Sequence, residues 1–246
     1  MRIIRLKTYF KHCIYESDSG IQVYQNLIYR WLTFSTRPIQ TLINRYNPQR
    51  PMLDYLNPLT LAVRARPGNT CLLGLGGAGA AHYLQPYLQT IPLDIIECHQ
   101  EVIEVAKKFF MTDRLLNTTI YHQLAELFVQ EKNHYYEHLL IDLFDEQAFP
   151  NSCNTEEFFT QCVNRLSPKG VLAINMANPS QQWSIFTKLK ALFHPGIVSF
   201  PINNSANIVV LASKDRSIDT LKQYIGTEYK STKLFWDTKW GYIVEH

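Results

Sequence analysis

Two short constellations in this sequence combine residue types and spacing that suit chemistry. The first is Gly74-x-Gly76-x-x-Gly79, followed by Glu97, 18 residues beyond the last glycine. Glycines at a strand-to-helix turn let the backbone approach a ligand closely. A carboxylate at the end of the next strand can accept hydrogen bonds from both hydroxyls of a ribose. Together they predict a nucleoside pocket; the pattern alone does not separate NAD from an S-adenosyl ligand. The second constellation is Asp142-Leu143-Phe144-Asp145, directly after the apolar run Leu139-Leu140-Ile141. Two carboxylates at that mouth suit a cationic amine: one can hold it and one can take its proton. For Asp145, a side-chain cap on a loop or helix is an equal alternative.

A third pattern reads as structure. His134-Tyr135-Tyr136-Glu137-His138 has the spacing of an inverted zinc-peptidase motif. That chemistry needs a helix, so that both imidazoles share one face. Here the motif runs into the apolar strand Leu139 to Ile141, so no metal site is expected. The cysteines, Cys13, Cys71, Cys98, Cys153 and Cys162, contain no Cys-x-x-Cys pair. They read as reduced thiols of a cytoplasmic protein.

The elements that must position these residues follow from periodicity. Thr70 to Leu73 is a short apolar strand running into the glycine turn, and Ala80 to Gln89 is a helix. Leu93 to Glu97 is a second strand and Glu101 to Phe110 a second helix. Ile120 to His122 and Ala125 to Glu131 repeat the pair. Leu139 to Ile141 is a strand, and Glu156 to Leu166 a helix. Val171 to Asn175 is a strand, Gln182 to Phe193 a helix, and Ile197 to Phe200 and Ile208 to Ala212 are strands. Strands alternating with helices imply a mostly parallel sheet covered on both faces. Ligands in such sheets sit at the carboxyl ends of the strands. Residues 1–50 form a separate β-hairpin region, with Gly20 to Tyr24 as the second arm after the turn Ser17-Asp18-Ser19. Residues 51–214 form the nucleoside-binding domain. Residues 215–246 form a helix and an aromatic tail, Phe235 to Tyr242, which packs back on its own domain rather than docking on a partner.

Composition bounds the function classes. The chain has 246 residues, 46% of them hydrophobic and 18% charged, enough to build a full core. Its net charge of +3 is too small to indicate nucleic acid as a partner. No stretch has the roughly 18 uncharged apolar residues of a membrane helix. The basic N-terminus lacks the apolar core and cleavage site of a signal peptide.

From about Tyr15 to Ala212 the sequence resembles the spermidine synthase family, the polyamine aminopropyltransferases, and more closely that family's divergent spermidine-synthase-like branch. The segments that carry the likeness occur in the family's order. Gly20-Ile21-Gln22-Val23 resembles the N-terminal hairpin, Gln40 the glutamine that contacts the nucleoside, and Tyr55 the tyrosine before the core domain. Gly76-Gly77-Ala78-Gly79-Ala80 stands at the glycine turn. Glu97 with Val102 to Ala106 resembles the ribose acid and its helix. Tyr136-Glu137 into Asp142-x-x-Asp145 resembles the approach to the catalytic acids, and Leu166 to Leu172 the late helix-turn-strand.

The resemblance implies a Rossmann-like fold of the class I S-adenosylmethionine-dependent methyltransferase type, with a small N-terminal β-hairpin region and a homodimer. It implies Gln40, Gly74, Gly76, Gly77, Gly79, Glu97 and Gln123 around the nucleoside, Tyr55 and Asp145 at the amine, and Asp142 as base with Asp145 beside it. The co-substrate would be S-adenosylmethionine or its decarboxylated form, with no tightly bound cofactor, and the acceptor a small amine or polyamine. A free alkyl amine, with pKa near ~10.4, is protonated at neutral pH and needs a base before it can attack carbon. Three departures stand against simple transfer of the family's activity. Ala78 replaces an Asp that faces the donor's amine end, so Ala78→Asp is expected to restore a preference for the decarboxylated donor. Gln123 replaces an Asp that holds the adenine, and Tyr55 is followed by Leu56-Asn57 rather than His-Glu. A methyltransferase or a catalytically silent binding protein on the same fold are the alternatives, and an NAD dehydrogenase is a distant fourth.

Overall fold

The computed structural model describes residues 2–34, 39–131, 134–144, 148–228 and 233–244. The chain opens with α1 (Arg2–Lys7), then β1 (His12–Glu16), β2 (Ile21–Gln25), β3 (Tyr29–Phe34) and β4 (Thr41–Asn44). These strands make a four-stranded antiparallel sheet in sequential order, a larger unit than the single hairpin expected from the turn at Ser17 to Gly20. Ile21, Val23, Leu32 and Ile43 on one of its faces are buried against Val102, Val105 and Phe110.

The second body begins with the helical turns α2 (Leu56–Leu59) and α3 (Leu61–Ala65). It continues through β5 (Thr70–Leu73), α4 (Gly79–Leu84), β6 (Leu93–Glu97), α5 (Gln100–Phe109), β7 (Thr118–His122), α6 (Ala125–Phe128) and β8 (Tyr136–Ile141). Then come α7 (Glu156–Arg165), β9 (Leu166–Met176), α8 (Pro179–Phe193), β10 (Ile197–Pro201), β11 (Ile208–Ser213), α9 (Ile218–Glu228), β12 (Leu234–Asp237) and β13 (Gly241–Val244). The strands form one sheet in the order β12-β13-β10-β11-β9-β8-β5-β6-β7. Pairings from β9 through β8, β5 and β6 to β7 are parallel, as is β10 with β13; β11 runs antiparallel to both of its neighbours.

The central strands read as continuous apolar runs because both faces are covered. Leu72, Ile95, Leu140, Ala173, Val209 and Leu211 join one core cluster, with residues of α2, α3, α4 and α9. Their neighbours Leu73, Ile96, Leu139, Ile141, Leu172, Ile174 and Val210 join the other, with α6, α7 and α8. Several elements differ in extent from expectation: β8 starts at Tyr136 rather than Leu139, β9 runs from Leu166 to Met176, and α6 stops at Phe128. The helix after the glycine turn ends at Leu84, where Pro86 blocks its continuation. The aromatic tail is a hairpin, β12 with β13, and β13 extends the main sheet beside β10. Trp240 packs on Phe186 at 4.8 Å between ring centroids, so the tail lies against its own chain. Among the described residues, no helix is long and apolar enough to cross a membrane.

Candidate active site

The strand order reverses direction at β5. From β5 the chain steps outward to β6 and β7; it then returns so that β8 flanks β5 on the other side. At such a switch point the loops after two adjacent parallel strands diverge and leave a crevice. The glycine turn follows β5 and Asp142 follows β8, so the two constellations share that crevice. Asp142 N–H donates to the Leu73 carbonyl at 2.9 Å. Gly74 shows why a side chain is excluded there. Its φ is +100°, and a Cβ would lie 2.3 Å from the Asp142 carbonyl oxygen.

Glu97 ends β6 beside this turn and is buried. Its Oε2 accepts the Leu75 N–H at 3.1 Å and its Oε1 the His99 N–H at 3.0 Å. Each carboxylate oxygen keeps acceptor capacity for a hydroxyl. Gln123, just after β7, is tied to the same place by its backbone: its N–H donates to the Glu97 carbonyl at 3.0 Å. Its side-chain amide is directed elsewhere, donating to Glu131 Oε1 at 2.5 Å. Gln40 is half-buried at the entry to β4. Next to it, the buried Thr41 accepts the Gly77 N–H on its Oγ1 at 2.8 Å. Thr41 thus ties the N-terminal sheet to the glycine turn. Sequence reasoning missed it, because a single threonine on an antiparallel strand carries no signal.

The Asp142 carboxylate is held from two sides. Tyr55 donates its hydroxyl to Oδ2 at 2.9 Å, and Asn175 donates its side-chain amide to Oδ1 at 2.9 Å. Tyr55 stands at the start of α2 and Asn175 near the end of β9, 33 residues beyond Asp142 in sequence. Asp142 keeps part of its surface open, yet protein atoms surround its carboxyl closely. Burial pushes that carboxyl above the usual range, and the hydrogen bonds from Asn175 and Tyr55 oppose the rise. Burial and the adjacent carboxylate hold the Tyr55 phenol well above its ordinary value, so it remains a donor. A carboxylate of raised pKa with an open side is a competent proton acceptor. Asp145 lies outside the described residues. A separate hollow of about 300 Å³, lined by Arg66, Lys169, Asp215 and Tyr224, lies at the opposite end of the strands.

Two sequence expectations need correction or restatement. Ala78 does not present an open surface to a ligand. It is 0% exposed, belongs to the larger core cluster, and adopts a left-handed backbone with φ +58°. A charge placed there would be enclosed. The segment His134 to His138 leads into β8, with His138 buried and its Nε2 2.7 Å from the Arg66 carbonyl. Glu137 accepts the Asn69 N–H at 2.6 Å. In a strand, both residues are used to seat β8 against the segment before β5.

Parallel strands with the switch point at β5, helices on both faces and an acid ending the second strand define a Rossmann-like fold of the class I S-adenosylmethionine-dependent methyltransferase type. The solved structures similar to it bear this out. A probable spermidine synthase from Corynebacterium glutamicum superposes with a TM-score of 0.70 over 87% of both chains, at 16% identity. A spermidine synthase in complex with the transition-state analogue AdoDATO gives 0.68, covering 89% of this chain and 78% of that one, at 18% identity. Human methyltransferase-like protein 13 in complex with SAH gives 0.60, covering 76% and 97%, at 15% identity. In sequence, the chain is 24% identical over 203 residues to the polyamine aminopropyltransferase of Neisseria meningitidis serogroup A, covering 79% of this chain and 77% of the relative. No family model matches it. The chain is thus similar in sequence to polyamine aminopropyltransferases and in fold to spermidine synthases.

Proposed function

We propose that this protein is a transferase that moves an aminopropyl group from a decarboxylated S-adenosyl sulfonium donor to a small amine, with Asp142 as the base. The observation that carries the reading is the placement of the Tyr55–Asp142–Asn175 cluster beside the glycine turn, in the crevice that Glu97 also faces. Glu97 would hold the ribose, with Gly74, Gly76, Gly77 and Gly79 giving the nucleoside a close backbone approach, and Gln40 and Gln123 at the rim. Asp142 would take the proton from an alkylammonium and orient the lone pair. The amine nitrogen then attacks the donor's methylene carbon. The C–N bond forms, the C–S bond breaks with its electron pair going to sulfur, and the sulfonium leaves as neutral methylthioadenosine. The sulfonium is its own leaving-group activator, and positioning plus proton removal supply the rest.

The glycine turn and Glu97 would serve either sulfonium nucleoside, so methyl transfer from S-adenosylmethionine is the second reading. The two readings separate in one assay. The protein is incubated with each sulfonium and a panel of diamines, and the nucleoside product is identified. Methylthioadenosine formed only with the decarboxylated donor and an amine supports aminopropyl transfer; S-adenosylhomocysteine supports methyl transfer. Neither product, with binding of adenosyl ligands intact, would refute both.

A further inference from the structure

Asp142 stands at the inner end of a directed chain of hydrogen bonds that begins at the protein surface. Ser205, in the exposed turn between β10 and β11, accepts the Asn207 backbone N–H on its Oγ at 3.2 Å. Its hydroxyl donates to Asn207 Oδ1, 2.5 Å away. Asn207 Nδ2 donates to Asn175 Oδ1 at 2.7 Å, and Asn175 Nδ2 donates to Asp142 Oδ1 at 2.9 Å. The carboxylate, which only accepts, sets this polarity at the inner end, and each amide passes it outward. An isolated asparagine could rotate by half a turn and offer its oxygen instead, which a carboxylate would repel. Here the orientation of each amide is coupled to that of its neighbours, so turning one would break the bonds of the next.

The turn that anchors the chain is itself braced. Ile202 N–H donates to the Asn207 carbonyl, and the buried Gln182 of α8 donates to the carbonyls of both Ala206 and Met176. The antiparallel course of β11 places this turn over the crevice, since Ile208 pairs with Met176 at the carboxyl end of β9.

We propose that Asn175 and Asn207 are positioning residues for Asp142: the chain Ser205–Asn207–Asn175 keeps an N–H donor aimed at its Oδ1, fixing the carboxylate's orientation and favouring its charged form. The proposal rests on the reading of Asp142 as the base, though its test does not. The groups that face the Asp142 side chain among the described residues are few. Tyr55 comes from the start of α2 and is the ionisable one; Asn175 comes from β9; the β5 side brings the Gly74 backbone. Burial works against the ionised form there, and the two donors work for it.

The test reads the Asp142 carboxyl directly. The intact protein is labelled with ¹³C at aspartate side chains, the resonance is assigned with Asp142→Asn, and its titration is followed in Asn175→Leu and Asn207→Leu. Leucine is close to asparagine in size and donates nothing. A hydrogen bond to an ionised acceptor corresponds to a shift of about one pH unit or more, so Asn175→Leu should raise the midpoint by that amount. Asn207→Leu keeps the donor but uncouples it, and a smaller rise is expected. A purely structural role would lower the melting temperature and leave the midpoint where it is. If Asn175→Leu does not fold, the half-buried Asn207→Leu carries the test. An unmoved midpoint in a folded variant overturns the proposal. Should the midpoint move while no aminopropyl transfer is found, the positioning role stands and the functional reading falls; transfer that needs Asp142, with an unmoved midpoint, gives the reverse.

Discussion

Replacing Asp142 by Asn tests the proposed base and its environment together. Asn keeps the shape, and the local hydrogen bonds show how it must sit. Its oxygen has to face Asn175 Nδ2, because turning that amide would break its bond to Asn207. Its amide nitrogen then faces Tyr55, whose hydroxyl can turn and accept. Every polar atom finds a partner, so the fold should survive with a change of no more than about 1 kcal/mol. The pH dependence of stability should nevertheless change. The folded-state pKa of Asp142 lies above the ordinary 3.8, because burial penalises the ionised form more than its two donors favour it. A group raised in this way contributes stability that is fully present below the unfolded pKa and is lost as pH rises through the folded one. Each unit of elevation costs about 1.4 kcal/mol of stability on the alkaline side. Its partial exposure trims that cost by screening. Urea unfolding of both proteins at pH 4 and pH 7.5 measures it. The wild type should lose stability relative to Asp142→Asn between the two values. In the transfer assay, the variant should lose 10²–10⁴-fold in rate, the usual range for a general base, with donor affinity little changed. Parallel stability curves would refute the raised pKa, and normal turnover by the Asn variant would refute the base.

Glu97→Gln should weaken binding of adenosyl ligands while keeping the fold, whereas Glu97→Ala also strips two backbone N–H groups of their acceptor and should cost roughly 1–3 kcal/mol per orphaned donor. Thermal shifts with and without ligand separate the two effects, and equal affinity in wild type and Glu97→Gln would remove Glu97 from the pocket. At position 78, Ala78→Asp would enclose a charge in the core and is expected to lower the melting temperature sharply rather than retune donor choice. Ala78→Gly, relieved of the left-handed backbone strain, should be neutral or stabilising by about 1 kcal/mol. Arg64 is buried beneath α9. It is paired with Glu228 at 2.5 Å and hydrogen-bonded to Thr60 and the Asn57 carbonyl. Arg64→Ala should destabilise by about 1–3 kcal/mol in urea unfolding, because the Asn57 carbonyl loses its donor while the exposed Glu228 left behind stays solvated, and a loss under about 1 kcal/mol would mean that these contacts contribute little.

The parts of the site legible in the sequence are those whose demands are local. A glycine at 74 answers a backbone conformation and a contact with the strand next door, so the Gly-x-Gly-x-x-Gly pattern, the acid at the end of β6 and Asp142 at the end of an apolar strand show without a structure. Buried parallel strands announce themselves as short apolar runs because both faces are covered. The tertiary structure decided what those residues meet. Tyr55 reaches Asp142 across 87 residues and Asn175 across 33, through sheet order and register that no local pattern encodes. Asn175 sits in an apolar strand and Asn207 in a polar turn, and each alone is unremarked there; their roles arise because β11 runs antiparallel to β9 and brings the turn over the crevice. Thr41 on the glycine turn and the enclosure of Ala78 follow from docking the N-terminal sheet against α4 and α5. The aromatic tail became a strand of the main sheet because β10 offered it an unpaired edge, whose backbone donors and acceptors need partners whatever the side chains are.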